Sequence, residues 1–198
     1  MNDYDKNGDL DKLMTYTING KDLPVFLKRD VQDQLPVLKK ENLTHKDYAE
    51  KSIQELFAKD LIAASEVKQF NYAASCVAIN EGNGNFSIQP LPLMSQLSCI
   101  NAILPFDING DGFMDLVTGG NQFGFLPQFE KLDGSFGDLL INNGKGGFNW
   151  QNNGTSGLNL RGEIRDIKAI RNNKGVFVLF LQNNDYPVMF KLNSGLKK

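Results

Sequence analysis

The sequence predicts an all-β chain interrupted by one helical insertion, and three observations carry that prediction. Glycine occurs 19 times in 198 residues, and Asn-Gly or Asp-Gly steps recur at 7–8, 19–20, 111–112, 143–144 and 153–154. Such steps supply the positive-φ residues that tight turns require. Fourteen phenylalanines against one tryptophan suit pleated, half-buried strands. The chain also repeats itself. Residues 77–86, VAINEGNGNF, line up with 139–148, LLINNGKGGF: an apolar strand, an Asn, then Gly-x-Gly-x-Phe. Repeated units of this size stack, each needing neighbours to bury its faces.

Taken in order, residues 3–11 form an acidic loop, and 13–18 read as a strand turned by Asn19-Gly20. Residues 24–66 are rich in Lys, Gln, Asp and Leu and predict the insertion. Thr44 with Asp47 three residues on is a capping arrangement, and Ala49, Ile53, Leu56 and Phe57 follow the stripe of one amphipathic helix. His45 falls in its first turn, exposed. Strands resume at 72–80 and 86–90 around the turn 81–84. They continue at 98–104, 116–118, 139–141 and 148–151. Residues 176–181 are six apolar residues in a row, as in a strand covered on both faces, and 188–192 pairs with it. About ten short strands result. A third copy of the repeat, 164–192, keeps its strands and a turn at 172–175 but lacks an acidic loop.

Lysine and arginine number 21 against 23 acidic residues, a balance that gives no electrostatic footprint for nucleic acid or an anionic membrane. No apolar run approaches the roughly 20 residues of a membrane-spanning helix. Cys76 and Cys99 lie in separate apolar segments and are expected to be two buried thiols, with a disulfide between them left open for an exported protein.

Two stretches carry candidate chemistry. Asp3 to Asp11 and Asp107 to Asp115 both fit D-x-[DN]-x-[DN]-G-x-x-D. Oxygens at positions 1, 3 and 5 converge when a short loop curls around a hard cation, and glycine at position 6 permits the bend. A backbone carbonyl at position 7 joins, and the carboxylate at position 9 closes the cage. The expected calcium ligands are Asp3, Asp5, Asn7, Asp9 and Asp11 in the first loop, then Asp107, Asn109, Asp111, Phe113 and Asp115 in the second. An EF-hand is excluded, because Met14 and Thr118 occupy position 12 and strands follow both loops. The second loop is expected to be better anchored, since the first begins where chain ends fray.

Residues 106–116, FDINGDGFMDL, resemble the calcium loop of FG-GAP or VCBS repeats. The similarity extends to ASPIC/UnbV-type, cartilage-acidic-protein-like secreted proteins through residues 29–38, 44–49, 115–136 and 162–167. The resemblance implies a partial β-propeller: two to three four-stranded antiparallel blades with calcium between strands and the helical insertion inside the first blade. It treats 1–198 as a single domain or fragment, the closing part of a longer chain or one that completes its sheets through another copy. It also implies an extracellular, periplasmic or cell-surface location and a protein or glycan ligand.

Residues 120–137, with Phe123, Phe125, Phe129 and Phe136, are the candidate contact loop, unless those rings pack against the sheet. Two other functions remain open: a propeller-type polysaccharide-active enzyme and a purely structural closing piece. Glycoside hydrolysis needs two carboxylates about one bond. Glu163 and Asp166, beside Arg161 and Arg165, are the compact charged cluster outside the loops, and it reads as an ion-pair network.

Overall fold

A computed structural model describes residues 1–41, 44–125 and 129–193. The chain divides into two compact units, Met1–Asn71 and Tyr72–Lys198. It is mostly β, with four antiparallel sheets, none of them closed. Among the described residues no helix is long and apolar enough to cross a membrane.

The first unit begins with the acidic loop, closed by an antiparallel bridge between Asn2 and Asp11. Strands β1 (Thr15–Ile18) and β2 (Lys21–Pro24) form a hairpin. Asn19 and Gly20 at its turn both have positive φ, 51° and 75°, the geometry that matches strand twist. Five short helices follow: α1 (Lys28–Gln34), α2 (Leu38–Glu41), α3 (His45–Ala49), α4 (Ile53–Leu56) and α5 (Lys59–Ala63). None is long enough to be stable alone. They are held by a core of Tyr4, Val31, Leu35, Leu38, Tyr48 and Leu56. All five helices fall within residues 24–66, where the sequence predicts helix. The single helix expected across Thr44 to Phe57 is instead two. Thr44 does cap α3, accepting from Asp47 N–H at 3.0 Å. The chain then stops and restarts at Ser52, whose reciprocal capping with Glu55 begins α4. A second strong start signal inside the apolar stripe breaks the helix.

The second unit holds three sheets. Strands β3 (Cys76–Gly82) and β4 (Asn85–Pro90) form a hairpin. A 3₁₀ turn at Leu93–Gln96 leads to β5 (Ile100–Phe106). With β6 (Asp115–Gly120), β7 (Asp138–Asn142) and β8 (Phe148–Gln151) it makes a four-stranded meander in sequence order. A short helix α6 (Asn153–Ser156) leads on to β9 (Ile164–Asn172), β10 (Gly175–Gln182) and β11 (Val188–Lys191), a three-stranded sheet in the order β11-β10-β9.

The meander and the last sheet share one core that includes Val117, Leu139, Ile164, Ile167, Val178 and Phe180. Gly119 is glycine for a packing reason, because a Cβ there would lie 2.7 Å from Ile164 Cγ2. The six-residue apolar run behaves as expected on one face only. Val178 and Phe180 are buried, while Phe177, Leu179 and Leu181 are half-buried.

The expectation of two buried thiols is corrected. Both cysteines are free, Cys76 exposed and Cys99 half-buried. Cys76 stands on a two-stranded sheet, on a face where Ala78, Phe86, Ile88 and Pro90 are also exposed.

Candidate metal centre

The two acidic loops have the same backbone. Position 4 is left-handed in both (Lys6, φ 59°; Gly110, φ 74°), and position 6 has positive φ in both (Gly8, 95°; Gly112, 91°). Those two bends turn the acidic positions inward.

Their hydrogen bonds correspond position by position. The position 1 carboxylate, Asp3 or Asp107, accepts from the N–H groups of positions 5 and 6 at 2.9–3.1 Å. Position 3, Asp5 or Asn109, accepts from the position 5 N–H at 3.3 and 3.0 Å. Position 5, Asn7 or Asp111, accepts from the position 7 N–H at 2.7 and 2.9 Å. Position 9, Asp11 or Asp115, accepts from the position 2 N–H at 2.9 Å in both loops.

The side chains then divide by burial. Position 9 is buried in both loops, Asp11 at 3% exposure and Asp115 at 0%. So is position 2, where Tyr4 joins the helical core of the first unit and Ile108 the shared core of the second. Asp3, Asp5, Asp107 and Asn109 are half-buried, and Asn7, Asp9, Asp111 and Phe113 are exposed. Each loop thus hangs from an apolar anchor and a buried carboxylate and presents its other oxygens outward.

A second donor reaches each position 9 carboxylate from outside the loop. Gln34 Nε2 donates to Asp11 at 3.1 Å, and Asn142 N–H donates to Asp115 at 2.9 Å. Asn142 also donates through Nδ2 to the Met114 carbonyl at 3.0 Å. The Phe113 ring lies against the next turn, where a Cβ on Gly144 would meet it at 3.0 Å. Gln34 and Asn142 are functional neighbours that the loop pattern alone does not reveal. Asn142 did leave a signal: the Asn that follows the apolar strand in the 77–86 and 139–148 alignment.

Among the described residues, one group of three or more His, Cys, Asp or Glu side chains has all its ligand atoms within 4.8 Å of one another: Asp3, Asp5 and Asp11. At 4.8 Å two unit charges repel by about 1 kcal/mol in bulk water, and more where burial lowers the effective dielectric. A divalent cation relieves that repulsion. The donors are all hard oxygens, the set that calcium takes. In the second loop an amide, Asn109, stands where the first has Asp5, and its Nδ2 donates to Asp111 at 2.8 Å. The exchange is reversed at position 5, where the first loop has Asn7 and the second Asp111.

The chain start is tied to the end of the helical segment. Asn2 Nδ2 donates to the Leu61 carbonyl at 3.0 Å, Tyr4 Oη shares a hydrogen bond with Ser65 at 2.8 Å, and Glu66 N–H donates to the Met1 carbonyl at 2.9 Å. The second loop is tied down by Asn142, which donates to it through both its backbone and its side chain.

The charged cluster around Glu163 does contain ion pairs, one of them with a buried partner. Glu163 is buried and clasps three segments. It accepts from Phe123 N–H at 2.6 Å and from Asn183 Nδ2 at 2.6 Å, and it pairs with Arg165 at 3.3 Å. These hydrogen bonds, chiefly the Phe123 amide, hold its carboxyl below the usual glutamate range. Asp166 pairs instead with Lys168. Arg161 lies over the Phe136 ring at 5.3 Å and Lys131 over Phe123 at 5.6 Å. Phe123, Phe125, Phe129 and Phe136 all remain partly exposed. Residues 126–128 of that candidate contact loop lie outside the described residues. His45 is exposed, as expected.

Comparison of the chain with protein-family models, with curated proteins and with solved structures finds no match.

Proposed function

We propose that the chain is a calcium-binding, non-catalytic module of the FG-GAP/VCBS propeller type, acting outside the cell or at its surface to bind a protein or glycan. The observation that carries this reading is the correspondence of the two loops. Two stretches far apart in sequence adopt one conformation through the same bonds, each with a buried carboxylate at position 9. Asx-rich turns arising separately have no reason to agree in that detail. The meander β5-β6-β7-β8, with its loop between the first two strands, is the arrangement a four-stranded blade requires. The partly exposed phenylalanines around residues 123–136 are the surface proposed to meet the partner.

The test is calcium titration calorimetry on chelator-stripped protein, with magnesium as control, followed by glycan and protein arrays with and without calcium. Calcium heat that is lost in Asp5→Asn at the first loop and in Asp111→Asn at the second supports the reading. No calcium heat, together with superimposable melting curves in calcium and in chelator, would overturn it.

A further inference from the structure

Six Asn-Gly steps occur in the chain, at 7–8, 19–20, 83–84, 109–110, 143–144 and 153–154. Such a step can modify itself. The glycine amide nitrogen, unhindered by a side chain, loses its proton and attacks the Asn Cγ. The Cγ–Nδ2 bond breaks, ammonia carries the proton away, and a succinimide ring remains. Water opens that ring at either carbonyl, giving aspartate or isoaspartate. A folded chain hinders the attack in two ways. A hydrogen bond from the glycine N–H keeps its proton in place, and hydrogen bonds to the carboxamide hold Cγ away from the nucleophile.

Four of the six steps carry both restraints. In the acidic loops Gly8 N–H donates to Asp3 at 2.9 Å and Gly110 N–H to Asp107 at 2.8 Å, so a carboxylate opposes loss of the proton. Asn7 Oδ1 accepts from Asp9 N–H at 2.7 Å, and Asp111 holds Asn109 through both atoms of its carboxamide. Gly144 N–H donates to Asn142 at 2.9 Å, and Asn143 Oδ1 accepts from Lys145 and Gly147 at 2.8 and 3.1 Å. Gly154 N–H donates to Asn152 at 2.7 Å, and Asn153 Nδ2 donates to the Gly137 and Leu158 carbonyls. Exposure does not separate the six, since Asn7 and Asn143 are exposed too.

Asn19 and Asn83 have neither restraint. Among the described residues no group accepts from the Gly20 or Gly84 N–H, and none bonds to either carboxamide. Both steps are the two-residue turn of a hairpin, exposed and with matching φ: 51° and 75° at Asn19 and Gly20, 53° and 79° at Asn83 and Gly84. The closing bond of such a turn runs between the flanking residues, which leaves the glycine N–H in water. Each hairpin is a sheet of only two strands, the arrangement that opens at least cost. The Asn backbone can therefore leave its left-handed conformation for the attack.

We propose that Asn19 and Asn83 are sites of spontaneous deamidation and isoaspartate formation, and that local hydrogen bonds protect the other four. Isoaspartate carries the chain through Cβ, which lengthens the backbone of a tight turn and puts a negative charge at its tip. It loosens the β1–β2 and β3–β4 hairpins and leaves Asn7 and Asn109 chemically intact. Nothing in this depends on whether a cation is bound.

The experiment is incubation of the full chain at mildly alkaline pH in chelator, native and in urea, followed by peptide mapping by mass spectrometry. Isoaspartate is measured by enzymatic carboxyl methylation. In the native chain Asn19 and Asn83 are expected to convert and to give both products. Asn7, Asn109, Asn143 and Asn153 convert at least about tenfold more slowly, because each must first give up hydrogen bonds at the nucleophile and at the carboxamide. In urea all six converge on similar rates. Either Asn19 or Asn83 staying intact in the native chain while converting in urea overturns the proposal. So does any of the other four keeping pace with them in the native chain. The same ranking in urea overturns it as well, since the order would then come from neighbouring residues and not from the fold.

Discussion

Replacing Asp115 with Asn separates what holds the second loop from what would bind a cation. The Asp115 carboxylate is fully buried and accepts the N–H groups of Ile108 and Asn142, both at 2.9 Å. Asparagine keeps the shape but has a single acceptor oxygen, so its amide NH₂ must face one of those buried donors. An unsatisfied buried donor costs about 1–3 kcal/mol, and the surviving bond loses its charge assistance, about 1 kcal/mol more. The expected loss in chelator is therefore roughly 2–4 kcal/mol, and it is larger in calcium, because Asp115 is also one of the expected ligands. Urea unfolding read by Trp150 fluorescence measures it. Trp150 is the only tryptophan, and its indole donates to Asp138 at 3.0 Å within the same sheet. The companion variant is Asp111→Asn. Asp111 is exposed, so its loss in chelator should stay below about 1 kcal/mol, while the gain from added calcium disappears. An unfolding free energy for Asp115→Asn within about 0.5 kcal/mol of wild type in chelator would refute the reasoning, since the buried bonds would then carry no stability.

The remaining predictions concern the clasp and the core. Glu163→Gln should cost about 1–2 kcal/mol and loosen the backbone at Phe123, seen as faster amide exchange there. Because the folded Glu163 carboxyl sits below its ordinary value of 4.5, its contribution is present above that value and is lost as pH falls through the lowered one. The variant should accordingly have a flatter stability curve on the acid side than wild type. Phe180 is fully buried and meets Phe190 edge to face at 5.7 Å. Phe180→Ala should cost about 3–5 kcal/mol, measured by the same Trp150 unfolding curve.

The sequence by itself determined the local features. Asn-Gly pairs marked turns, short apolar runs between them marked strands, and the spacing of the acidic residues marked two equivalent loops, because each depends on neighbours within a few residues. It also located the helical segment, although the Ser52 start signal, which divides the expected helix, went unread. Tertiary structure decided which groups are buried. Asp11 and Asp115 become loop-closing carboxylates only because Gln34 and Asn142 arrive from elsewhere in the chain. Glu163 becomes a buried clasp because Phe123 and Asn183, 40 and 20 residues away, bring donors to it. Cys76 ends exposed because its hairpin has only two strands and one covered face. Burial is a property of what packs against a residue, and that is set by contacts between segments that no local pattern encodes.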